Sequence, residues 1–198
     1  MTIYYRKHTE FPSLPLDLST ELIELAKFYL ENNHPMEYWF RELDFKNQDS
    51  LSYVTPDDQI ISSGGVGLYS LPYPMNKEIC DLYKQTDTEL STFDEFFLQV
   101  VTGGKFVAPH IDPGRGAGYL YILKTGGSKV RTKWWTVKDE FKYLPKIDGY
   151  GVPYEKLDLV EDHCLEENTW HWLNFGEIHS VENQETLRIA LCRAPQPD

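Results

Sequence analysis

Apolar positions along the chain change their period once. Over residues 19 to 32, Leu22, Leu25, Ala26 and Tyr29 recur at three- and four-residue intervals. A Ser or Thr precedes them as a cap and Glu21 and Glu24 fall in the first turn, which together predict an amphipathic helix. A second helix is predicted over residues 76 to 86, where Ile79, Leu82 and Tyr83 share one side just after the turn-forming Pro72 and Pro74. Between them SSGGVGLYSLPYP, from Ser62 to Pro74, is rich in glycine and proline and reads as a loop or irregular strand.

From Phe93 onward the pattern shortens to β-favouring runs: FFLQVV, KFVAPHID, YLYILK, KVRTKWWTVK, TWHWLNF and TLRIALCR. Turn signals separate them at Thr102-Gly103-Gly104, Pro113-Gly114, Thr125-Gly126-Gly127 and Glu182-Asn183-Gln184. Helices first and strands after predict a mainly β protein with N-terminal helices, in which residues 1–92 support a compact antiparallel barrel or double sheet over 93–198. Residues 141 to 161, with Pro145, Gly149, Gly151 and Pro153, break the strand pattern and read as a cover over a site.

A length of 198 residues with 41% hydrophobic content suits one core and one domain. Nineteen Lys and Arg against 31 Asp and Glu give a net charge of -12, which removes any general attraction to nucleic-acid phosphate or an anionic membrane. Cys80, Cys164 and Cys192 are odd in number and widely spaced, and read as reduced core thiols rather than a disulfide framework or zinc site. No signal peptide or 18-residue apolar run is present, so a soluble cytoplasmic protein is expected.

Candidate chemistry sits at His110-Ile111-Asp112. Strand alternation puts Phe106, Ala108, His110 and Asp112 on one face, so an imidazole and a carboxylate can reach one divalent ion together. The same three letters also describe a histidine hydrogen-bonded beside a turn aspartate. His179 begins a short strand, and Arg188 starts the returning one, sharing a face with Ala190 and Cys192. An arginine among small residues on an inner face is costly to bury unless an anion meets it, either a ligand carboxylate or a protein acid at the rim.

His110-X-Asp112, a distal His179 and Arg188, with the stretch WHWLNFGEIHSVENQETLRIAL, resemble the signature of the 2-oxoglutarate- and Fe(II)-dependent dioxygenases, over roughly residues 93 to 193. Small stand-alone members resembling prolyl or aspartyl/asparaginyl hydroxylases offer the nearest comparison. The resemblance implies a double-stranded β-helix, the jelly-roll or cupin-like core. It makes His110, Asp112 and His179 the iron ligands, and Arg188 the partner of the distal carboxylate of 2-oxoglutarate. The implied reaction consumes O2 and 2-oxoglutarate, releases succinate and CO2, and hydroxylates a C–H bond of a small molecule or an amino-acid or peptide side chain.

Other positions follow less directly. Tyr119 and Tyr121 share a strand face, where either hydroxyl is placed to bond the cosubstrate and core packing accounts for them equally well. Arg115 is a candidate for a substrate carboxylate, though a solvated loop position also fits it. Trp134 is a candidate pocket wall, beside Trp135, Trp170 and Trp172, all equally at home in a core. Asn183 reads as turn chemistry. Related halogenases lack the carboxylate that Asp112 supplies, and related nucleic-acid demethylases carry a second arginine six residues after the first; here Arg193 follows Arg188 by five. Both departures favour hydroxylation of something other than nucleic acid. Gly114, Gly116 and Gly118 precede no helix and do not make a dinucleotide loop. His163, Cys164 and His171 lack a zinc spacing. The rival reading is a non-catalytic cupin-like protein that binds a metal or small acid, and a metal-dependent isomerase or hydrolase would not need Arg188.

Overall fold

The computed structural model describes residues 2–33, 52–54, 60–62, 66–86, 88–102, 107–112, 116–141 and 154–193. Strands β1 (Tyr5–His8), β4 (Val66–Ser70), β5 (Phe96–Val101), β7 (Gly118–Lys124), β10 (Trp170–Leu173) and β12 (Arg188–Arg193) form an antiparallel sheet in the order β1-β10-β7-β12-β5-β4. Strands β6 (Val107–His110), β8 (Arg131–Val137), β9 (Leu157–His163) and β11 (His179–Glu182) form a second antiparallel sheet in the order β6-β11-β8-β9. A short ribbon pairs β2 (Ser52–Val54) with β3 (Ile60–Ser62). From β5 onward successive strands fall alternately in the two sheets, β8 and β9 excepted.

Period-two alternation sorts the core into layers. On β7, Tyr119, Tyr121 and Leu123 face the helices α1 (Leu16–Glu31) and α2 (Tyr73–Lys84), with Leu22, Ile79 and Tyr83 opposite them. Leu120 and Ile122 point the other way and meet Trp134, Leu173 and Phe175 between the two sheets. Strand β12 repeats the division, Ile189 and Leu191 toward the helices, Ala190 and Cys192 into the inter-sheet layer. A third cluster, Ala108, Trp135, Tyr154, Leu157 and Ile178, covers the outer face of the four-stranded sheet. Fully buried Leu22 and Ile79 each contribute about 1.5–3 kcal/mol to holding the helical layer on the sheet.

Several local expectations change. Helix α1 begins at Leu16 after Pro15, with no side-chain cap, and Ser19 lies buried inside it. Helix α2 takes Pro74 into its first turn, where a missing N–H costs nothing, so it starts earlier than residue 76. Val66–Ser70 is a regular edge strand, its two-sided packing hidden by the glycines around it. The expected cover over 141 to 161 lies outside the described residues from 142 to 153, and from Leu157 the chain is strand β9. That strand escaped notice because it borders the sheet and exposes Asp158, Leu159 and Val160 in succession, which erases the alternation. All three cysteines are free, yet only Cys80 and Cys192 are buried; Cys164 is exposed. No described helix is long and apolar enough to cross a membrane.

Candidate metal centre and the buried arginine

Strands β6 and β11 run side by side, and their register pairs His179 with His110 directly. The ladder slips between His179 and Val181, where β6 carries Pro109 and cannot offer an N–H. Beyond β6, the Asp112 backbone N–H donates to the Phe175 carbonyl at 3.1 Å, tying the ligand loop to the segment that enters β11. The imidazoles of His110 and His179 stand 4.3 Å apart, and one ligand atom from each of His110, Asp112 and His179 lies within 4.8 Å of the others. Among the described residues this is the one group of three or more such side chains able to hold a metal ion.

The protonation pattern suits a cation. His110 Nδ1 lies 2.7 Å from the Ala108 carbonyl and His179 Nδ1 lies 2.9 Å from the Glu177 carbonyl. A carbonyl only accepts, so both histidines carry a proton on Nδ1, which leaves Nε2 as the nitrogen available to a metal. His110 Nε2 then sits 3.0 Å from Asp112 Oδ1. Two acceptors at that separation repel unless a positive charge, a proton or a metal cation, lies between them. Two imidazoles and one carboxylate form a donor set that suits a divalent ion such as Fe(II) and fills only part of its coordination.

Arg188 is 3% exposed. It opens β12 opposite Val101 of β5, on the face that Ala190 and Cys192 turn toward the four-stranded sheet. Among the described residues its guanidinium has no hydrogen bond or ion pair, and desolvation pushes its pKa down to about 10, leaving it charged at neutral pH. Its position is fixed by two turns pressed together. Gly126, at φ +89°, accepts the Glu185 and Thr186 N–H groups at 2.9 and 2.7 Å, and a Cβ there would stand 3.0 Å from the Arg188 Cβ. Gln184 fastens the same turn to the end of β5 through the Val101 and Thr102 carbonyls at 2.8 and 3.1 Å. Asn183, at φ +58°, serves the turn.

Two polar groups between the sheets were missed from sequence. Thr132 shares the inner face of β8 with Trp134, is 3% exposed, and leaves its Oγ1 without a hydrogen bond among the described residues. His171 of β10, fully buried, accepts from the Tyr5 hydroxyl at Nδ1 (3.1 Å) and donates from Nε2 to the Glu166 carbonyl (3.0 Å). Burial pulls its pKa down to about 4, with the Arg188 charge acting in the same direction, so it is neutral. Alternation from Trp134 on β8 was the signal that could have found Thr132; the position of His171 depends on sheet order, which no local pattern reveals.

The remaining candidates separate cleanly. Tyr119 and Tyr121 face the helices, not the inter-sheet layer; Tyr119 donates to Glu89, and the Tyr121 hydroxyl accepts the Leu14 N–H at 3.2 Å. Both take the core-packing alternative. Trp134 is fully buried beside His179 in register, its Nε1–H donating to the Asn174 carbonyl at 2.9 Å, so it offers a wall and no polar contact. Trp135 lies on the outer face of its sheet and Trp170 under the helices. Arg115 lies outside the described residues.

No protein-family model matches the chain, and no curated protein does. Solved structures resemble it weakly. An X-ray structure of E. coli ycfD is 16% identical, covers 72% of this chain and 37% of its own, and superposes with a TM-score of 0.40. A crystal structure of Escherichia coli ribosomal oxygenase YcfD is 17% identical, with 52% and 24% coverage and a TM-score of 0.29. The chain thus spans well under half the length of either.

Proposed function

We propose that the chain is an Fe(II)- and 2-oxoglutarate-dependent oxygenase that hydroxylates a C–H bond of a small molecule or of an amino-acid or peptide side chain. One pairing of observations carries this reading. The ligand atoms of His110, Asp112 and His179 converge beside the inter-sheet layer, and the buried, charged Arg188 faces the same layer without a partner among the described residues. A bare metal site would leave the arginine unexplained, and an anion site would leave the triad unexplained. A keto acid with a distal carboxylate answers both. The alternation of β5 to β12 between two sheets supports reading them as a double-stranded β-helix.

Fe(II) with 2-oxoglutarate and O2 supplies the oxidising chemistry, which ends in succinate, CO2 and a hydroxylated product. Asp112 contributes the negative charge of the ligand set, and the Nδ1–H bonds of His110 and His179 hold their rings against rotation. Arg188 would hold the distal carboxylate, its planar fork being suited to two charge-assisted hydrogen bonds, and the Thr132 hydroxyl would be available to the same group. Neutral His171 adds no second positive charge beside Arg188. Trp134, Leu120, Ile122 and Phe175 keep bulk water from the reacting atoms. Arg115 is retained as a proposed substrate contact, and the charge of -12 disfavours a nucleic-acid substrate.

Succinate formed from 2-oxoglutarate, dependent on both Fe(II) and O2 and lost in His179→Ala, is the expected result with pooled amino acids and peptides as substrate. Metal and 2-oxoglutarate binding without succinate would instead mark a non-catalytic binder.

A further inference from the structure

The outer face of the four-stranded sheet carries a polar cluster for which the reaction has no use. Trp135 Nε1–H donates to Ser180 Oγ at 2.9 Å, and Ser180 donates in turn to Glu182 Oε1 at 2.9 Å. The Tyr154 hydroxyl donates to that same oxygen at 2.8 Å, while the Lys133 ammonium reaches Glu182 Oε2 at 2.5 Å. Ser180 is fully buried, Trp135 and Tyr154 are each 7% exposed, and their two rings meet edge to face at 5.2 Å. Charge-assisted bonds in such dry surroundings hold geometry tightly, because breaking one strands a buried donor or acceptor.

The cluster's place gives it meaning. Ser180 and Glu182 lie on β11, which presents His179 on its other face. On the β6 side the backbone ladder slips next to His179, so pairing with β6 does not by itself fix that imidazole. On the β8 side the register is unbroken from His179 to Glu182, and Trp135 N–H donates to the Ile178 carbonyl at 2.9 Å. The hydrogen-bonded chain reinforces this second side and adds Tyr154, which stands in the short 3-10 turn Tyr154–Lys156 that leads into β9.

We infer that Tyr154, Ser180 and Glu182 are positioning residues of the metal centre. They hold β11 against β8 so that His179 converges with His110 and Asp112, and this role rests on the metal-binding reading above. The test is anaerobic titration of the full-length apoprotein with Co(II), following the visible d–d spectrum and the Kd. Tyr154→Phe and Glu182→Gln are compared with Tyr83→Phe, which removes a buried hydroxyl bonded to Trp170 Nε1 at 2.9 Å in the helix-facing core.

Tyr154→Phe and Glu182→Gln are expected to raise the Co(II) Kd about tenfold or more and to shift the d–d bands at temperatures where both remain folded. Tyr83→Phe is expected to lower Tm without changing Kd or spectrum. Should Glu182→Gln fail to fold, Tyr154→Phe, which removes a single oxygen, carries the comparison. A Tyr154→Phe protein that behaves like Tyr83→Phe would show the cluster to be structural only and overturn the inference. If the wild type binds no Co(II), or binds it equally well as His179→Ala, the metal reading itself fails and takes this inference with it.

Discussion

A guanidinium that is 3% exposed with no partner among the described residues has lost its water without gaining an anion, at an effective cost of several kcal/mol. Such a residue separates stability from function. Replacing Arg188 by Met, apolar and of similar length, is expected to leave stability unchanged or raise it by about 1–4 kcal/mol in denaturant unfolding. The same change should abolish 2-oxoglutarate binding in calorimetry. A destabilised variant that still binds 2-oxoglutarate would mean that Arg188 is paired within the protein. His171 gives a pH signature. Its folded pKa of about 4 lies below its ordinary value of 6.5, so between those limits the unfolded chain binds the extra proton and stability rises with pH. Its contribution is complete above pH 6.5 and is lost as pH falls toward 4, with a slope of up to about 1.4 kcal/mol per pH unit. His171→Gln should flatten the stability profile across that window. An unchanged slope would show that the imidazole already takes up its proton in the folded state.

At the scale of elements, the site depends on turns as much as on strands. Gly126 holds a left-handed φ and presses against Arg188, so Gly126→Ala is expected to cost about 1–3 kcal/mol. It should weaken 2-oxoglutarate binding more than metal binding, since His110, Asp112 and His179 lie on other segments. Equal losses in both would mean that the turn supports the whole sandwich rather than the arginine. Strands β5, β7, β8, β10 and β12 were legible in the sequence, each following a β-favouring run, and His110, Asp112, His179 and Arg188 stand out by residue chemistry. Alternation through β6 failed, because Ala108 packs in the outer cluster and the slip at Pro109 puts His110 on the other face, opposite His179. Elements at the border were not legible. Edge strands β4 and β9 each pair with one neighbouring strand only, and glycine in β4 and exposed acids in β9 masked them. The orientation of Tyr119 and Tyr121 was hidden for a different reason. Both faces of β7 are buried, and a strand buried on both sides does not announce which face meets the site.

Across the molecule, the helical layer and the metal centre lie on different faces of the six-stranded sheet's neighbourhood: α1 and α2 cover its outer side, and the site belongs to the inter-sheet side. Leu22→Ala, at a fully buried position of α1, is expected to lower global stability by about 2–5 kcal/mol with Co(II) affinity unchanged in the folded protein. A matching loss of metal affinity would show that the two layers act as one unit. The most direct test of the central claim is an anaerobic titration of wild-type protein carrying Fe(II) with 2-oxoglutarate, followed by visible absorption. A weak charge-transfer band that requires both components, is reduced in Asp112→Ala through poorer iron retention, and needs far more 2-oxoglutarate in Arg188→Met is the predicted result. No band from the wild type, or the same band at the same concentrations from both variants, would contradict the account.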